Sequence, residues 1–320
     1  MPPTTTVTFR PYRGHEDLPG MADVINARVV EEGEGEHATV ASLVENYDHL
    51  KNCDVATDMV VAEDESGRVV GYARTFWADV GEGYRSYYAA FEALAEVDGL
   101  GRDMAEWAVS RAEAIAATHD HPDRRIVTWA NETGSRAKVV AALGYEAFSW
   151  SAYMVRSHLR DIPDAPLPAG LEIRPVADDQ LRAIWASDIE AFRDHRGYVE
   201  QTETDWERFL DEAAIGTSLW QIAWDGETVA GQVRTRVNDG EAERLGRRRA
   251  WTEDISTRRD WRGKGVASAL IAASLRQLAD QGFDEAALGV DLDNPTGALG
   301  VYEHMGYEVV LRQAQYCKQL

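Results

Sequence analysis

The feature that most constrains this chain is that the same order of local signals runs through it twice, on either side of a proline-rich break. The break, SHLRDIPDAPLPAG at residues 157–170, places three prolines within six residues. A ring that fixes φ and removes an N–H leaves neither a helix nor a central strand there. Residues 158–170 are therefore predicted to link a domain at 7–157 to a second at 171–320. A repeat of roughly 160 residues is far longer than a solenoid unit, so the copies are expected to be tandem domains. Each is long enough for its own core.

Phe9-Arg10-Pro11 opens one copy and Ile173-Arg174-Pro175 the other, each followed by an acidic helix start. Met59-Val60-Val61-Ala62, a turn at Glu65-Ser66-Gly67 and Val69-Val70-Gly71-Tyr72 predict a hairpin. Gln221-Ile222-Ala223-Trp224, Asp225-Gly226 and Val229-Ala230-Gly231-Gln232 predict its counterpart. From Val266 to Gln281 apolar side chains recur three and four apart, with Gly282 as a cap; Met104, Trp107, Ala108 and Ile115 form the same stripe in the first copy. A short apolar run (Ile126 to Trp129; Ala286 to Val290) then leads to a helix closing on Leu143-Gly144-Tyr145 or Met305-Gly306-Tyr307. Each copy thus reads as strand, two helices, antiparallel meander, helix, strand, helix and last strand. That order predicts an α/β (α+β) fold whose mixed, mostly antiparallel sheet carries helices on both faces.

Composition narrows the function classes. With 33 Lys and Arg against 55 Asp and Glu, the net charge of −22 argues against coating nucleic acid or an anionic membrane. Two cysteines, Cys53 and Cys317, make no disulfide framework and have no metal-ligand spacing. No apolar run approaches the ~18 residues of a membrane span, and the opening Met-Pro-Pro-Thr-Thr-Thr lacks the parts of a signal peptide. A soluble, cytoplasmic protein is expected.

Trp251 to Leu270, WTEDISTRRDWRGKGVASAL, carries the chemistry. Strict alternation puts Trp251, Glu253, Ile255 and Thr257 on one face of a strand, and Thr252, Asp254 and Ser256 on the other. The strand runs into a loop holding Gly263 and Gly265 and then directly into the helix. The unpaired N–H groups and positive dipole end of that helix suit a phosphate or pyrophosphate. From Arg244 to Lys264 eight basic residues (Arg244, Arg247, Arg248, Arg249, Arg258, Arg259, Arg262, Lys264) stand against three acids, which points to an anionic target. The common phosphate loops do not fit. Lys264 lies between the glycines instead of before a Ser or Thr, and the third position of a dinucleotide fingerprint is Ser268 after a polar strand.

What fits is Arg262-x-x-Gly265-x-Ala267. With it the segment resembles the coenzyme A loop, Gln/Arg-x-x-Gly-x-Gly/Ala, of the GCN5-related N-acetyltransferase (GNAT) superfamily. The resemblance continues in order through Asp293-Asn294-Pro295, Tyr302 and Met305-Gly306-Tyr307. Residues 7 to 320 are similar to the tandem two-domain members, a class that includes mycothiol synthase. The resemblance implies acetyl-CoA as acyl donor and no metal. It implies that the backbone N–H groups of Arg262, Gly263, Lys264, Gly265, Val266 and Ala267 hold the pyrophosphate, with Arg262 and Lys264 adding charge. Backbone groups near Ile255, Ser256 and Thr257 would pair with the pantetheine arm and hold the acetyl carbonyl. Asn294 would lie beside coenzyme and acceptor, and Tyr302 would be the general acid for the departing thiolate. A phenol titrating near ~10 keeps the proton that role needs. An amine acceptor must lose a proton; Glu253 is the expected taker, with Asp254 and then Asp291 as alternatives.

On the same template the first copy reads Glu96-Val97-Asp98-Gly99-Leu100-Gly101, with Glu96 in the arginine slot and Val140 opposite Tyr302. A carboxylate ~4 Å from a pyrophosphate is opposed by several kcal/mol even at an effective dielectric of about 20. The first domain is expected to be catalytically silent, its acidic run at residues 31–36 a solvated loop. The resulting expectation is acetyl-CoA-dependent N-acetylation of a primary amine on a small cationic acceptor, by direct attack in a ternary complex. The alternatives are a non-catalytic acyl-CoA-binding or regulatory protein, or a mycothiol-synthase-like acetyltransferase. The expected partner is a small-molecule amine, not nucleic acid or membrane, bound by a monomer or homodimer.

Overall fold

The computed structural model describes residues 6–33, 35–294 and 297–320. The chain divides into two compact units. In the first, β1 (Val7–Arg10), α1 (Leu18–Glu32) and α2 (Val40–Asp48) precede a meander of β2 (Met59–Asp64), β3 (Val69–Val80) and β4 (Tyr84–Ala93). Then come α3 (Leu100–Ala116), β5 (Arg124–Asn131), α4 (Ser135–Ala142) and β6 (Glu146–Arg156). Strands β1 to β5 lie in sequence order, antiparallel except for β4 beside β5. Alternation along β2 feeds two cores: Met59 and Val61 pack with Leu18 and Met21 of α1, whereas Val60 and Ala62 pack with Leu100 and Met104 of α3. Helices therefore cover both faces, and β2 is apolar at successive positions for that reason.

The second unit repeats the plan with β7 (Glu172–Ile173), α5 (Leu181–Phe192), α6 (Glu203–Ile215), β8 (Gln221–Asp225) and β9 (Thr228–Val237). A short helix absent from the sequence reading, α7 (Asp239–Leu245), follows, its start capped by the Asn238 side chain. Next are β10 (Arg249–Thr257), α8 (Val266–Asp280), β11 (Glu285–Asp291), α9 (Ala298–His304) and β12 (Glu308–Gln319). Ile222 and Trp224 of β8 face Ile184 of α5 and Phe209 of α6, while Ala223 faces the α8 core. Most of the predicted stripe is buried on α8, Val266, Ala269, Leu270, Leu275 and Leu278 being inaccessible or nearly so, while its member Ala273 is part-buried and Ile271 and Ala272 are buried as well. Each buried Val or Leu among them contributes about 1.5–3 kcal/mol relative to exposure.

The closing strands depart from the predicted boundaries. Residues Ser151 to Arg156 of β6 pair antiparallel with β11 of the second unit, and Gln313 to Gln319 of β12 pair antiparallel with β5 of the first. The first unit accordingly runs to Trp150 and regains Leu311–Leu320; the second is Ser151–Val310. The exposed edge of β5 or β11 needs a partner strand, and either copy's last strand can supply one, so sequence order alone does not choose. Nor is 158–170 a free tether. Leu159 is buried, and Ile162, Ala165 and Leu167 pack against the core of the second unit.

Candidate functional site

The site begins where two parallel strands part. The registered pairs of β10 with β11 end at Trp251↔Ala287. There the Thr252 hydroxyl donates to the Ala287 carbonyl at 3.1 Å and stands 2.8 Å from the buried Tyr307 hydroxyl, so a side chain makes the last link between the strands. On its other edge β10 stays paired with β9, but the register shifts between Glu253↔Arg234 and Ser256↔Gln232. Asp254 takes up the extra residue at φ +45°, a conformation that non-glycine residues adopt at a cost of about 1–2 kcal/mol.

This bulge corrects the alternation expected from the sequence. Arg234 and Arg236, two apart on β9, share a face. Glu253 accepts from Arg236 Nε at 2.7 Å, and Asp254 lies 2.8 Å from Arg234 Nη2. Both carboxylates therefore project to the same face, not to opposite ones. Ile255 packs against the α8 core, and Ser256 is buried. The Thr257 Oγ1 and Gln232 Oε1 atoms are buried with no hydrogen-bond partner.

Next to this edge lies the glycine loop. Gly263 (φ +69°) and Gly265 (φ +84°) are both left-handed, and a Cβ on either would meet open space, so the loop surface is unobstructed. Ala269 N donates to Gly265 O at 3.0 Å, closing the first turn of α8. Among the described residues, no backbone N–H from Gly263 to Ser268 has a hydrogen-bond acceptor. Six consecutive free donors at a helix N-terminus form an anion cradle. Val266 is buried beneath it, where Gly231 lets the loop approach: a Cβ there would lie 2.8 Å from Ser256 O and 3.1 Å from Val266.

The basic residues around the loop are largely committed to other partners. Arg262 donates to Thr257 O at 3.1 Å, Asp194 at 2.9 Å and Ala191 O at 2.8 Å. Arg259 also binds Asp194, and Arg258 binds Glu190. The hydrogen bonds from Arg259 and Arg262 hold the Asp194 carboxyl well below the usual range. Arg247 and Arg249 both bind Glu285 at 2.7 Å, and Arg248 donates to Gln281 O. Much of the expected excess of positive charge is thus tied up in local ion pairs and carbonyl contacts. Lys264 is exposed and has no partner among the described residues.

Tyr302 on α9 is 8% exposed, its ring centroid 6.3 Å from that of Tyr307. Burial pushes its phenol up to about 12, so it stays protonated, and its hydroxyl makes no hydrogen bond among the described residues. Asn294 lies just past β11, its backbone N–H donating to Asp291 O at 3.3 Å. Pro295 of the same motif, and Glu34 of the acidic run, lie outside the described residues. Glu32 of that run is not solvated as expected; its side chain is 7% exposed and pairs with Arg28 at 2.5 Å.

One group had no signal in the sequence. Asp188 of α5 accepts from Gln232 Nε2 at 2.7 Å and lies 3.3 Å from Arg234, which also binds Glu212 of α6 at 2.9 Å. Burial pushes the Asp188 carboxyl up to about 6, against the pull of Arg234. Nothing local distinguishes Asp188 from the other acids of a helix face; only packing on β9 and β10 does.

The first unit carries the same loop in a different state. Gly99 is left-handed (φ +78°), but Leu100 N donates to Val97 O at 3.2 Å and Arg102 N to Gly99 O at 3.0 Å, so the turn uses its own donors. Glu96 lies 3.5 Å from Arg68, and Val140 is buried. Both cysteines belong to this unit, Cys53 by position and Cys317 through its register with Val127. Among the described residues no group of three or more His, Cys, Asp or Glu could hold a metal, and no helix is long and apolar enough to cross a membrane.

The family described as acetyltransferase (GNAT) matches residues 179–307. A mycothiol acetyltransferase of Salinispora tropica is 29% identical over 269 residues, covering 81% of this chain and 80% of the relative. Another, from Clavibacter michiganensis subsp. michiganensis, is 26% identical over 270 residues, covering 81% and 79%. Among solved structures, a GCN5-related N-acetyltransferase from Sphaerobacter thermophilus superposes with a TM-score of 0.73 at 20% identity over 98% of this chain and 95% of that one. A tandem GNAT protein from the clavulanic acid biosynthesis pathway gives 0.69 at 17% identity, over 98% of both chains. At these identities the structures share the fold.

Proposed function

We propose that this chain, which matches the acetyltransferase (GNAT) family over residues 179–307, is a tandem N-acetyltransferase using acetyl-CoA, and that its second unit performs the transfer onto a primary amine of a small, cationic acceptor. The observation that carries this is the run of free N–H groups from Gly263 to Ser268, beside an open strand edge and a protonated Tyr302. The amides of Arg262 through Ala267 span the pyrophosphate position, though the Arg262 amide donates to Arg259 O at 3.2 Å and is the one occupied donor of the set. Lys264 supplies the mobile charge, while the Arg262 guanidinium fixes the loop to α5. The free edge at Ile255, Ser256 and Thr257 suits the pantetheine arm and the acetyl carbonyl, and Asn294 is assigned the place beside coenzyme and acceptor. Thr257 Oγ1, buried without a partner, is the kind of atom a bound amide would satisfy.

The amine attacks the thioester carbonyl directly. A covalent cysteine route is disfavoured because both cysteines fall in the first unit. Tyr302 gives its proton to the leaving sulfur, and the carboxylate face that includes Glu253 and Asp254 receives the amine's proton. That face also favours a cationic acceptor. A mycothiol-synthase-like acceptor is the second reading, supported by the names of the relatives and their coverage of about four fifths of both chains.

The test is thiol release from acetyl-CoA across a panel of amines, with acetyl-CoA binding followed by thermal shift. Tyr302→Phe is expected to lower kcat by about 10²-fold with coenzyme affinity unchanged. Binding of acetyl-CoA without thiol release by the parent, for any amine, would favour the non-catalytic acyl-CoA-binding alternative.

A further inference from the structure

Behind the bulge of β10 lies a buried group of charges that the loop and Tyr302 leave unused. Asp188 of α5, Glu212 of α6 and Asp254 of β10 share one guanidinium, Arg234 of β9, at 3.3, 2.9 and 2.8 Å. Three carboxylates on one cation leave a net negative charge, and the side chains of Asp188 and Arg234 are only 16% and 7% exposed. The other carboxylates of α5 and β10 are paired elsewhere, Glu190 with Arg258 and Glu253 with Arg236. Gln232, wholly buried, turns its amide donor to Asp188 and leaves its own Oε1 without a donor. A buried acceptor in that state calls for an N–H from outside the chain.

We propose that Asp188 is the proton acceptor of the transfer, taking a proton from the ammonium of a cationic acceptor that enters beside Asp254, with Gln232 Oε1 accepting a second N–H. The assignment rests on the amine reading of the preceding subsection. Asp254 and Glu253 each hold a close charge-assisted partner, at 2.8 and 2.7 Å, so both carboxylates are already engaged by a guanidinium. Asp188 has a neutral amide as its nearest donor, a more distant cation, and the deepest setting of the three. It is the carboxylate best placed to hold a proton near neutral pH. Its raised pKa agrees, burial being the main cause and Asp254 adding to it against Arg234.

The step balances as follows. One ammonium proton passes to Asp188 and from there to water. The neutral nitrogen forms the new C–N bond, the C–S bond breaks, and Tyr302 protonates the sulfur. The second nitrogen proton restores Tyr302. The products are the N-acetylated acceptor, the free thiol and one proton.

The experiment compares the parent with Asp188→Asn and Asp188→Glu. Thiol release with the best amine of the panel is followed from about pH 5 to pH 9, and acetyl-CoA binding is measured on each protein. The parent is expected to lose kcat/KM as pH falls through about 6. Asp188→Asn should lower kcat/KM about 10- to 100-fold and remove that acid limb, with acetyl-CoA affinity retained. Asp188→Glu should restore part of the rate and bring back an acid limb at a changed position. An Asp188→Asn enzyme with the parent's rate and acid limb overturns the assignment while leaving the amine reading intact. If Asp188→Asn no longer binds acetyl-CoA, Asp188→Glu decides on the same readouts. A parent that binds acetyl-CoA but acetylates no amine overturns the reading beneath, and this assignment with it.

Discussion

A carboxylate crowded by two others makes stability depend on pH in an unusual direction. Burial raises the folded-state pKa of Asp188 to about 6, above its ordinary 3.8. The folded protein therefore binds that proton more tightly than the unfolded chain. The resulting stabilisation is complete below the unfolded value and is lost as pH rises through about 6. Asparagine at 188 keeps the shape and an acceptor for Gln232, while Arg234 retains Asp254 and Glu212. Asp188→Asn is thus expected to raise Tm by a few degrees at pH ~7.5, with the gain gone by pH ~5. Thermal unfolding at the two pH values checks it; a variant that melts below the parent at the higher pH contradicts it. The change expected to slow the chemistry should thus steady the fold, because a charge buried for reactivity is destabilising when unused.

At the scale of the element, what matters is which donors a turn keeps for itself. The two glycine loops share a left-handed glycine just before the helix, Gly99 and Gly265, and the same passage from strand to helix. In the second unit six amides stay open; in the first, Leu100 and Arg102 donate back to the turn. Side-chain charge alone does not separate them, since the arginines near the open loop are held by Asp194 and Glu190. Gly265→Ala probes the loop directly. A Cβ meets no atom there, so any effect arises from the φ of +84°. The strain of about 1–2 kcal/mol is expected to turn the amides away and weaken acetyl-CoA binding roughly tenfold, with a small fall in Tm. Calorimetric titration of acetyl-CoA measures the first; unchanged affinity would mean that the amide geometry is not what binds.

Across the whole molecule, the exchange of closing strands ties the stability of the first unit to the far end of the chain. Deleting Leu311–Leu320 removes the strand registered with Arg125–Asn131 of β5, and with it buried Ala314. The loss is expected in the first unit, although the deleted residues follow the second unit in sequence. Hydrogen exchange should show β5 amides losing protection while those of α8 keep theirs; protection loss confined to α8 would contradict the strand assignment.

Much of this was legible in the sequence. The duplication, the element order, the amphipathic stripe of α8 and the loop with its two glycines are local patterns, set by side-chain period and by backbone freedom at particular residues. The placing of Glu253 and Asp254 was not legible, because one extra residue in a ladder reverses every side chain after it, and the bulge is held by Arg234, twenty residues away. Asp188, the paired arginines and the exchanged strands escaped for the same reason. Sequence by itself determined which segments become strands, helices and an amide-lined turn. Tertiary structure alone decided which charges meet and which edge each last strand covers, since ion pairing and strand pairing depend on distance in space between residues far apart in the chain.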